Sequence, residues 1–389
     1  MIGPGAVLLA MALGGPGGPG SPGGGLPYDV SVRVLGRLHP SSVRISRPGE
    51  AHVVVASGGR LRVDGEPGEG TRSFPAGRWR VEPDGGKARV YEGAVSVSRS
   101  GEEVAVVVHL ALEEYVASVV AAETEKGTPI EALKGLAVVA RSYAASARGR
   151  HAGSDLCDLA HCQVMGSHGS GVHRASAEAA ARLTAGQALR VDGGAVAAAP
   201  FHAACGGHTA DPAEVLGGEG TGAAAVPDPG CAPVPWQVRV EDKLLARVAG
   251  QELARGSEAR SSVPVDALRF LRGKGGYVIQ VADGDAVVGG EAFTRALDRA
   301  LGHGRVRSAR FEVRRSGSAL RVTGSGVGHG VGLCQAGSAR RAAEGHGYEQ
   351  ILRHYFPRAQ LDPAPGALTS VPAGPPAPRS APLNRTSSR

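Results

Sequence analysis

The chain has 389 residues, 42% of them hydrophobic but only 4% aromatic, and carries a net charge of +7. That length allows one large core or two to three domains, and the shortage of aromatics puts the interior on Val, Leu and Ala. The charge suits an anionic partner, yet no basic run carries interleaved aromatics, so nucleic acid is excluded as the expected ligand.

Residues 6–13 (AVLLAMAL) form a short apolar run followed by a Gly/Pro-rich stretch to residue 26. The run reads as the core of an export signal, with Ala10-Met11-Ala12 as a small-x-small cleavage site, although no Lys or Arg precedes it. No other run is long enough to span a membrane. Residues 27–110 are β-rich, with VSVRVL, VRIS, HVVVAS, RLRV, RWRVE, ARVYE, AVSVS and VAVVVHL as strand-like runs between Gly, Pro, Asp and Ser.

At residue 111 the period changes. Leu112, Tyr115, Val116, Val119 and Val120 share one face of a helix ending near Glu123. A second helix is expected to start with Thr128 as N-cap, Pro129 at the first position and Glu131 closing a capping box. It runs to about Arg148 and buries Ile130, Leu133, Ala137, Ala140 and Ala144. Further on, a helix is expected near Arg174–Leu183 and a strand over Ala195–Ala203. Strands follow at Trp236–Val240, Tyr277–Val281 and Phe311–Val313, with a helix at Glu291–Leu301. A Gly-rich segment and an amphipathic YEQILRHYFP close the folded part. Residues 361–389, rich in Pro, Ala and Ser, read as a disordered tail. The fold class is α+β: a β-rich N-terminal part, a helical hairpin and a mixed remainder over 111–360.

Several groups carry chemistry. In the helical hairpin Glu113 and Glu114 read as a solvated face and Glu131 as a cap. Glu123 sits at a helix C-terminus, where unpaired carbonyls disfavour a carboxylate and raise its pKa, as a general acid requires. His151, Cys157, His161 and Cys162 lie within twelve residues, and two thiols with two imidazoles can close a tetrahedral zinc site. A Cys157–Cys162 disulfide and a pair of free thiols are the alternatives. Cys205 begins a CGGH sequence whose glycines mark a tight turn, and Cys231 is a candidate disulfide partner for it. The five cysteines cannot all pair within the chain. His329 lies in GVGHGVG, which lacks the Lys-Ser/Thr of a phosphate loop and the context of a dinucleotide site.

The motifs ALEEYVASVVAAE with PIEALKGLAVVARSYAA, LCDLAHCQVMG, FHAACGGHTA, VPDPGC and GHGVGLCQAGSARRAAEGHGYEQILRHYFP occur in this order. Together they resemble the stage II sporulation protein D family, over about 111–357. The resemblance implies lytic transglycosylase activity on peptidoglycan glycan strands. The β-1,4 bond from N-acetylmuramic acid to N-acetylglucosamine would be cut, preferably in glycan stripped of stem peptides, leaving a 1,6-anhydro end. It puts the catalytic glutamate on Glu123 and, in some members, zinc in the segment matching His151–Cys162. Gln163, Cys205, His208, His329 and Gln335 fall in separate motifs and are expected to meet at the glycan site in sugar-positioning or supporting roles. A cell-wall amidase is an implied partner, and export to the envelope an implied location. The chain departs from the family pattern at Cys334, where Ser is common, and at Gly135-Leu136, where Ala-Gln is usual. A non-catalytic wall-binding module that stimulates an amidase is the competing reading. A zinc hydrolase is disfavoured by the absence of an HExxH helix.

Overall fold

The structure, a computed structural model, describes residues 29–362 apart from 69, 160, 169–173, 219 and 255–262. The signal-like run and the C-terminal tail lie outside the described residues. The chain begins with eight strands: β1 (Asp29–Val34), β2 (Ser42–Arg47), β3 (Glu50–Ser57), β4 (Arg60–Val63), β5 (Glu66–Gly68), β6 (Arg72–Pro83), β7 (Arg89–Ser100) and β8 (Glu103–Ala111). The runs ARVYE and AVSVS are parts of the single strand β7. Alternation decides the faces: Val95 and Val97 of β7 and Val106 and Val108 of β8 point inward and are fully buried. Gly93 is required at the crossing of the two strands, because a Cβ there would meet the His109 carbonyl oxygen at 2.2 Å. Trp79 is fully buried, its indole N–H donating to Pro75 O at 2.8 Å, with the Arg47 guanidinium stacked 4.4 Å from the ring centroid.

Helices α1 (Leu112–Glu123) and α2 (Ile130–Ser146) follow directly. The predicted face of α1 is buried throughout. The start of α2 differs from expectation. Its N-cap is Pro129, Thr128 donates instead to Glu125 O at 2.8 Å, and Ile130 is 40% exposed. Glu131 is freed from capping, pairs with Lys134 at 2.7 Å and accepts the Tyr348 N–H at 2.8 Å. Glu113 and Glu114 are not a solvated face either. Glu113 forms a two-point pair with Arg141, a fully buried guanidinium on α2, and Glu114 pairs with Arg174 at 2.6 Å and His168 at 2.9 Å. Arg141 also donates to Ala181 O and Gln187 O, which ties α1 and α2 to α3 (Arg174–Leu183). A buried cation needs this many acceptors to offset its lost hydration.

Beyond α2 the main core is finished by short pieces: β9 (Leu156–Cys157), α3, β10 (Leu189–Arg190), β11 (Phe201–His202), α4 (Pro212–Leu216) and, near the end, β18 (Leu333–Cys334), α7 (Gln335–Ala343), α8 (Tyr348–Tyr355) and β19 (Gln360–Leu361). Of the strand expected over Ala195–Ala203, only Phe201–His202 is a true strand. β9 pairs parallel with β1 and completes a nine-stranded sheet, in the order β5-β4-β3-β2-β6-β7-β8-β1-β9.

Between β11 and β18 stands a second unit with its own core. It comprises β12 (Pro235–Glu241), α5 (Asp242–Leu253), β13 (Arg269–Arg272), β14 (Val278–Asp283), β15 (Ala286–Gly289), α6 (Gly290–Leu301), β16 (Phe311–Ser316) and β17 (Ala319–Ser325). Trp236, Phe293 and Phe311 anchor this core, with Phe270 edge-on to both phenylalanines. Helix α5 was not legible in the sequence. Among the described residues no helix is long and apolar enough to cross a membrane.

Candidate functional site

Glu123 ends α1 and its side chain is half-buried. The Val164 N–H donates to its Oε1 at 3.0 Å, and the Gln335 amide donates to its main-chain oxygen at 3.1 Å. Thr124 Oγ1 satisfies a second carbonyl of the helix end, Val120 O, at 2.6 Å. Among the described residues Oε1 alone of the two carboxyl oxygens has a hydrogen-bond donor. Loss of hydration pushes the carboxyl up to about 7, against the Val164 N–H, which pulls it down. Burial is therefore the leading cause of the rise expected from the helix end.

Val164 is placed by the segment before it. Gln163 is buried, and its Oε1 accepts the Tyr115 hydroxyl of α1 at 3.0 Å. Two residues before Val164 lies Cys162, in a tight turn closed by its N–H on Leu159 O. His151 Nε2 stands 3.1 Å from Cys162 Sγ, and His161 Nε2 stands 3.1 Å from Cys157 Sγ. All four donor atoms lie within 4.8 Å of one another. Donor atoms around a tetrahedral zinc with ordinary S and N bond lengths are about 3.5 Å apart, so this set fits such an ion. Cys162 is held down to about 3 by the Cys157 thiol first and by the two imidazoles, against burial, which raises it; Cys157 is pushed up. The four residues can hold a metal ion. The neighbouring Tyr143 hydroxyl supports the turn by donating to His161 O at 3.3 Å, and it accepts from Arg150 at 2.5 Å.

The remaining sequence candidates are placed differently. Gln335 reaches Glu123 as described. Cys205 is fully buried and its thiol contacts Asp228 Oδ2 at 3.3 Å. His208 bonds the carbonyl of its neighbour Thr209 at 2.7 Å. His329 is buried, bonds Phe201 O at 2.9 Å and lies edge-on to His202; burial holds its imidazole down to about 3, so it is neutral. The close approach that Gly206, Gly328 and Gly330 permit is to the protein itself. A Cβ on them would meet Ser325 Oγ at 2.6 Å, His202 Cβ at 3.0 Å and the Tyr277 ring at 2.2 Å. All five cysteines are free thiols, so Cys205 and Cys231 are not a disulfide, and neither are Cys157 and Cys162. Asp228 is a buried carboxylate that the sequence reading passed over, although it lies in the VPDPGC motif.

Residues 100–190 match the family model described as Stage II sporulation protein. The chain is 29% identical over 272 residues to an uncharacterized protein of Brachyspira hyodysenteriae, covering 68% of this chain and 70% of that one. It is 27% identical over 317 residues to Stage II sporulation protein D of Bacillus amyloliquefaciens, covering 74% and 85%. It is 36% identical over 84 residues to Stage II sporulation protein D of Bacillus subtilis, covering 21% and 24%. The model match spans Glu123 and its positioning segment His151–Val164, and the two similarities of greatest extent cover most of the chain, so the chain carries a stage II sporulation protein region over 100–190 and is similar over most of its length to stage II sporulation protein D.

Proposed function

We propose that this protein is a lytic transglycosylase of peptidoglycan with Glu123 as its one acid–base group. The observation that carries the reading is a single half-buried carboxyl at a helix end, held near pKa 7 with one oxygen fixed by a backbone N–H. Hydrolytic glycosidases usually need two carboxyls. One suffices when the muramic acid supplies its own nucleophile. Protonated Glu123 gives its proton to the glycosidic oxygen as the bond to C1 breaks, and the N-acetylglucosamine leaves as its 4-hydroxyl. The 6-hydroxyl of the muramic acid closes on C1, and the Glu123 carboxylate takes that hydroxyl's proton. The acid is regenerated and no water is consumed; intramolecular attack gains from proximity.

Gln335 and Gln163 act as positioning residues, the first on the helix end and the second on the strand of chain that carries Val164. Cys205, His208 and His329, through their contacts to Asp228, Thr209 and Phe201, would support the fold that carries the site. His151, Cys157, His161 and Cys162 would hold one Zn²⁺ in a closed, four-ligand structural role; the ion supplies folding energy to the segment beside Glu123. Residues 27–360 form the stable unit, exported to the envelope, where glycan strands freed of peptides by an amidase are the substrate.

Mass analysis of products from denuded wall glycan, made in ¹⁸O-labelled water, tests the reading. Anhydro ends without ¹⁸O are expected. Reducing ends bearing ¹⁸O would make the protein a hydrolase, and uncut glycan with retained binding would make it an amidase-stimulating module.

A further inference from the structure

Cys205, Cys231 and Cys334 come from three separate segments and meet with Asp228 in the main core, Cys334 standing next in the chain to Gln335, whose amide reaches the Glu123 carbonyl. All four are at most 1% exposed, and their donor atoms lie within 4.8 Å of one another. We propose that these residues form a second structural metal site, for a single Zn²⁺, separate from the one at His151–Cys162.

The local geometry favours thiolates around a cation. Cys334 Sγ lies 3.6 Å from Cys231 Sγ, and Cys205 Sγ lies 3.3 Å from Asp228 Oδ2. The edges of a tetrahedron with zinc–sulfur and zinc–oxygen bonds of ordinary length are about 3.5–3.8 Å, so these two pairs already lie within tenths of an ångström of that spacing and no other pair exceeds 4.8 Å. Every sulfur already accepts backbone N–H groups: Cys205 from Gly207, Cys231 from Gly206, and Cys334 from Cys205 and Gly337, at 3.3–3.4 Å. Such donors stabilise a thiolate and are of less use to a thiol, which is itself a donor. Cys334 also caps the N-terminus of α7, where the helix favours negative charge.

Asp228 gives a second, independent indication. It is fully buried; Oδ2 accepts the Tyr355 hydroxyl at 2.8 Å, but among the described residues Oδ1 has no hydrogen-bond partner, and the Arg341 guanidinium stands 3.7 Å from it. A buried carboxylate left so poorly paired is unfavourable, and a divalent cation bound beside it removes the fault. Three thiolates and one carboxylate suit a soft ion such as zinc over calcium or magnesium. Loading releases the three thiol protons to solvent and leaves no open position, so the site is structural. A disulfide could use only two of the three sulfurs and would leave Asp228 as it is.

The site fixes the residue next to it. Cys334 precedes Gln335, whose amide holds the end of α1, just as Cys162 precedes the pair Gln163-Val164 that holds the Glu123 carboxyl. The two metals would thus clamp Glu123 from either side. Metal content does not depend on what reaction Glu123 performs, so this proposal and the enzymatic reading can fail separately.

The test is zinc stoichiometry of the full chain, purified under reducing conditions and desalted. Two equivalents are expected for the wild type, falling by one in Cys231→Ser. The complementary double variant Cys157→Ser/Cys162→Ser should keep one equivalent, and its Co²⁺ form should show the near-ultraviolet absorption of sulfur ligation. A zinc content unchanged by Cys231→Ser, a folded double variant free of metal, or a disulfide among Cys205, Cys231 and Cys334 in the fresh wild type would each overturn the proposal.

Discussion

Two carboxyls of this chain, Glu123 and Glu291, are both pushed by burial up to about 7, yet they sit in different cores and at opposite ends of helices. Glu123 closes α1 in the main core, beside loops tied by thiols, imidazoles and amides. Glu291 opens α6 in the second unit, with Arg295 4.0 Å away. The contrast teaches that a perturbed acid is not by itself a site. What sets Glu123 apart is its surroundings: a fixed N–H on one oxygen and a clamped helix end. The second unit is packed on aromatic rings and contains no cysteine, whereas the main core holds all five.

The sharpest way to break the comparison is to remove each proton in turn. Glu123→Gln keeps shape and the Val164 contact and should lower glycan cleavage by about two to four powers of ten, with glycan binding retained. Glu291→Gln should leave the rate within about threefold, since the pair is distinguished by surroundings and not by acidity. Equal losses in the two variants would erase the distinction.

Next in size is a separation of stabilities. Phe293, fully buried among Phe270 and its neighbours, carries the second core. Phe293→Ala should cost about 3–5 kcal/mol in denaturant unfolding of that unit. Hydrogen exchange in α1 and α2 should change little. Uniform loss of protection across both regions would mean the two cores unfold as one.

The pH dependence of stability comes third. Each carboxyl has a native pKa of about 7 against an ordinary 4.5, so the native state holds the proton more tightly. Its contribution is therefore complete below about pH 4.5 and is lost as pH rises through 7, by on the order of 1–3 kcal/mol per group. Glu123→Gln and Glu291→Gln should each flatten the fall in melting temperature between pH 5 and 8, and the effects should add because the groups lie in separate cores. A melting curve of Glu123→Gln that still falls as steeply as the wild type would show that Glu123 is not held protonated.

The smallest expected effect concerns the helix end. Gln335→Ala removes one hydrogen bond worth about 1 kcal/mol, and cleavage should slow by roughly fivefold with the substrate concentration at half-maximal rate little changed. A loss as large as that of Glu123→Gln would make Gln335 part of the chemistry and not of the positioning.

Periodicity made much of this legible. Alternation gave the strands of the large sheet, and the face of α1 followed from five residues at helical spacing. The hairpin start was misread because Thr128-Pro129 has the composition of a cap while its hydroxyl prefers the nearer Glu125 carbonyl. Glu113 and Glu114 looked solvated because their partners, Arg141 and Arg174, lie 28 and 60 residues away. Clustering within twelve residues exposed the His151–Cys162 group. The Cys205–Asp228–Cys231–Cys334 group spans 130 residues and only the fold brings it together. Its sequence traces were Cys334 standing where Ser is common and the expected partnership of Cys205 with Cys231.

The second unit is entered and left at adjacent points, since Pro235 at the start of β12 pairs with Ser325 at the end of β17. Topologically the residues between them, 236–324, are a detour: the main chain reaches the same spot with or without them. Segments with coincident ends can be exchanged or shortened without rethreading what lies on either side. Here the detour also returns Tyr277 and Arg310 to the main core, where they bond the carbonyls of Cys205 and Gly206. Any replacement cassette would have to bring its own pair of donors to that turn, so the module is interchangeable at its ends but not along its seam.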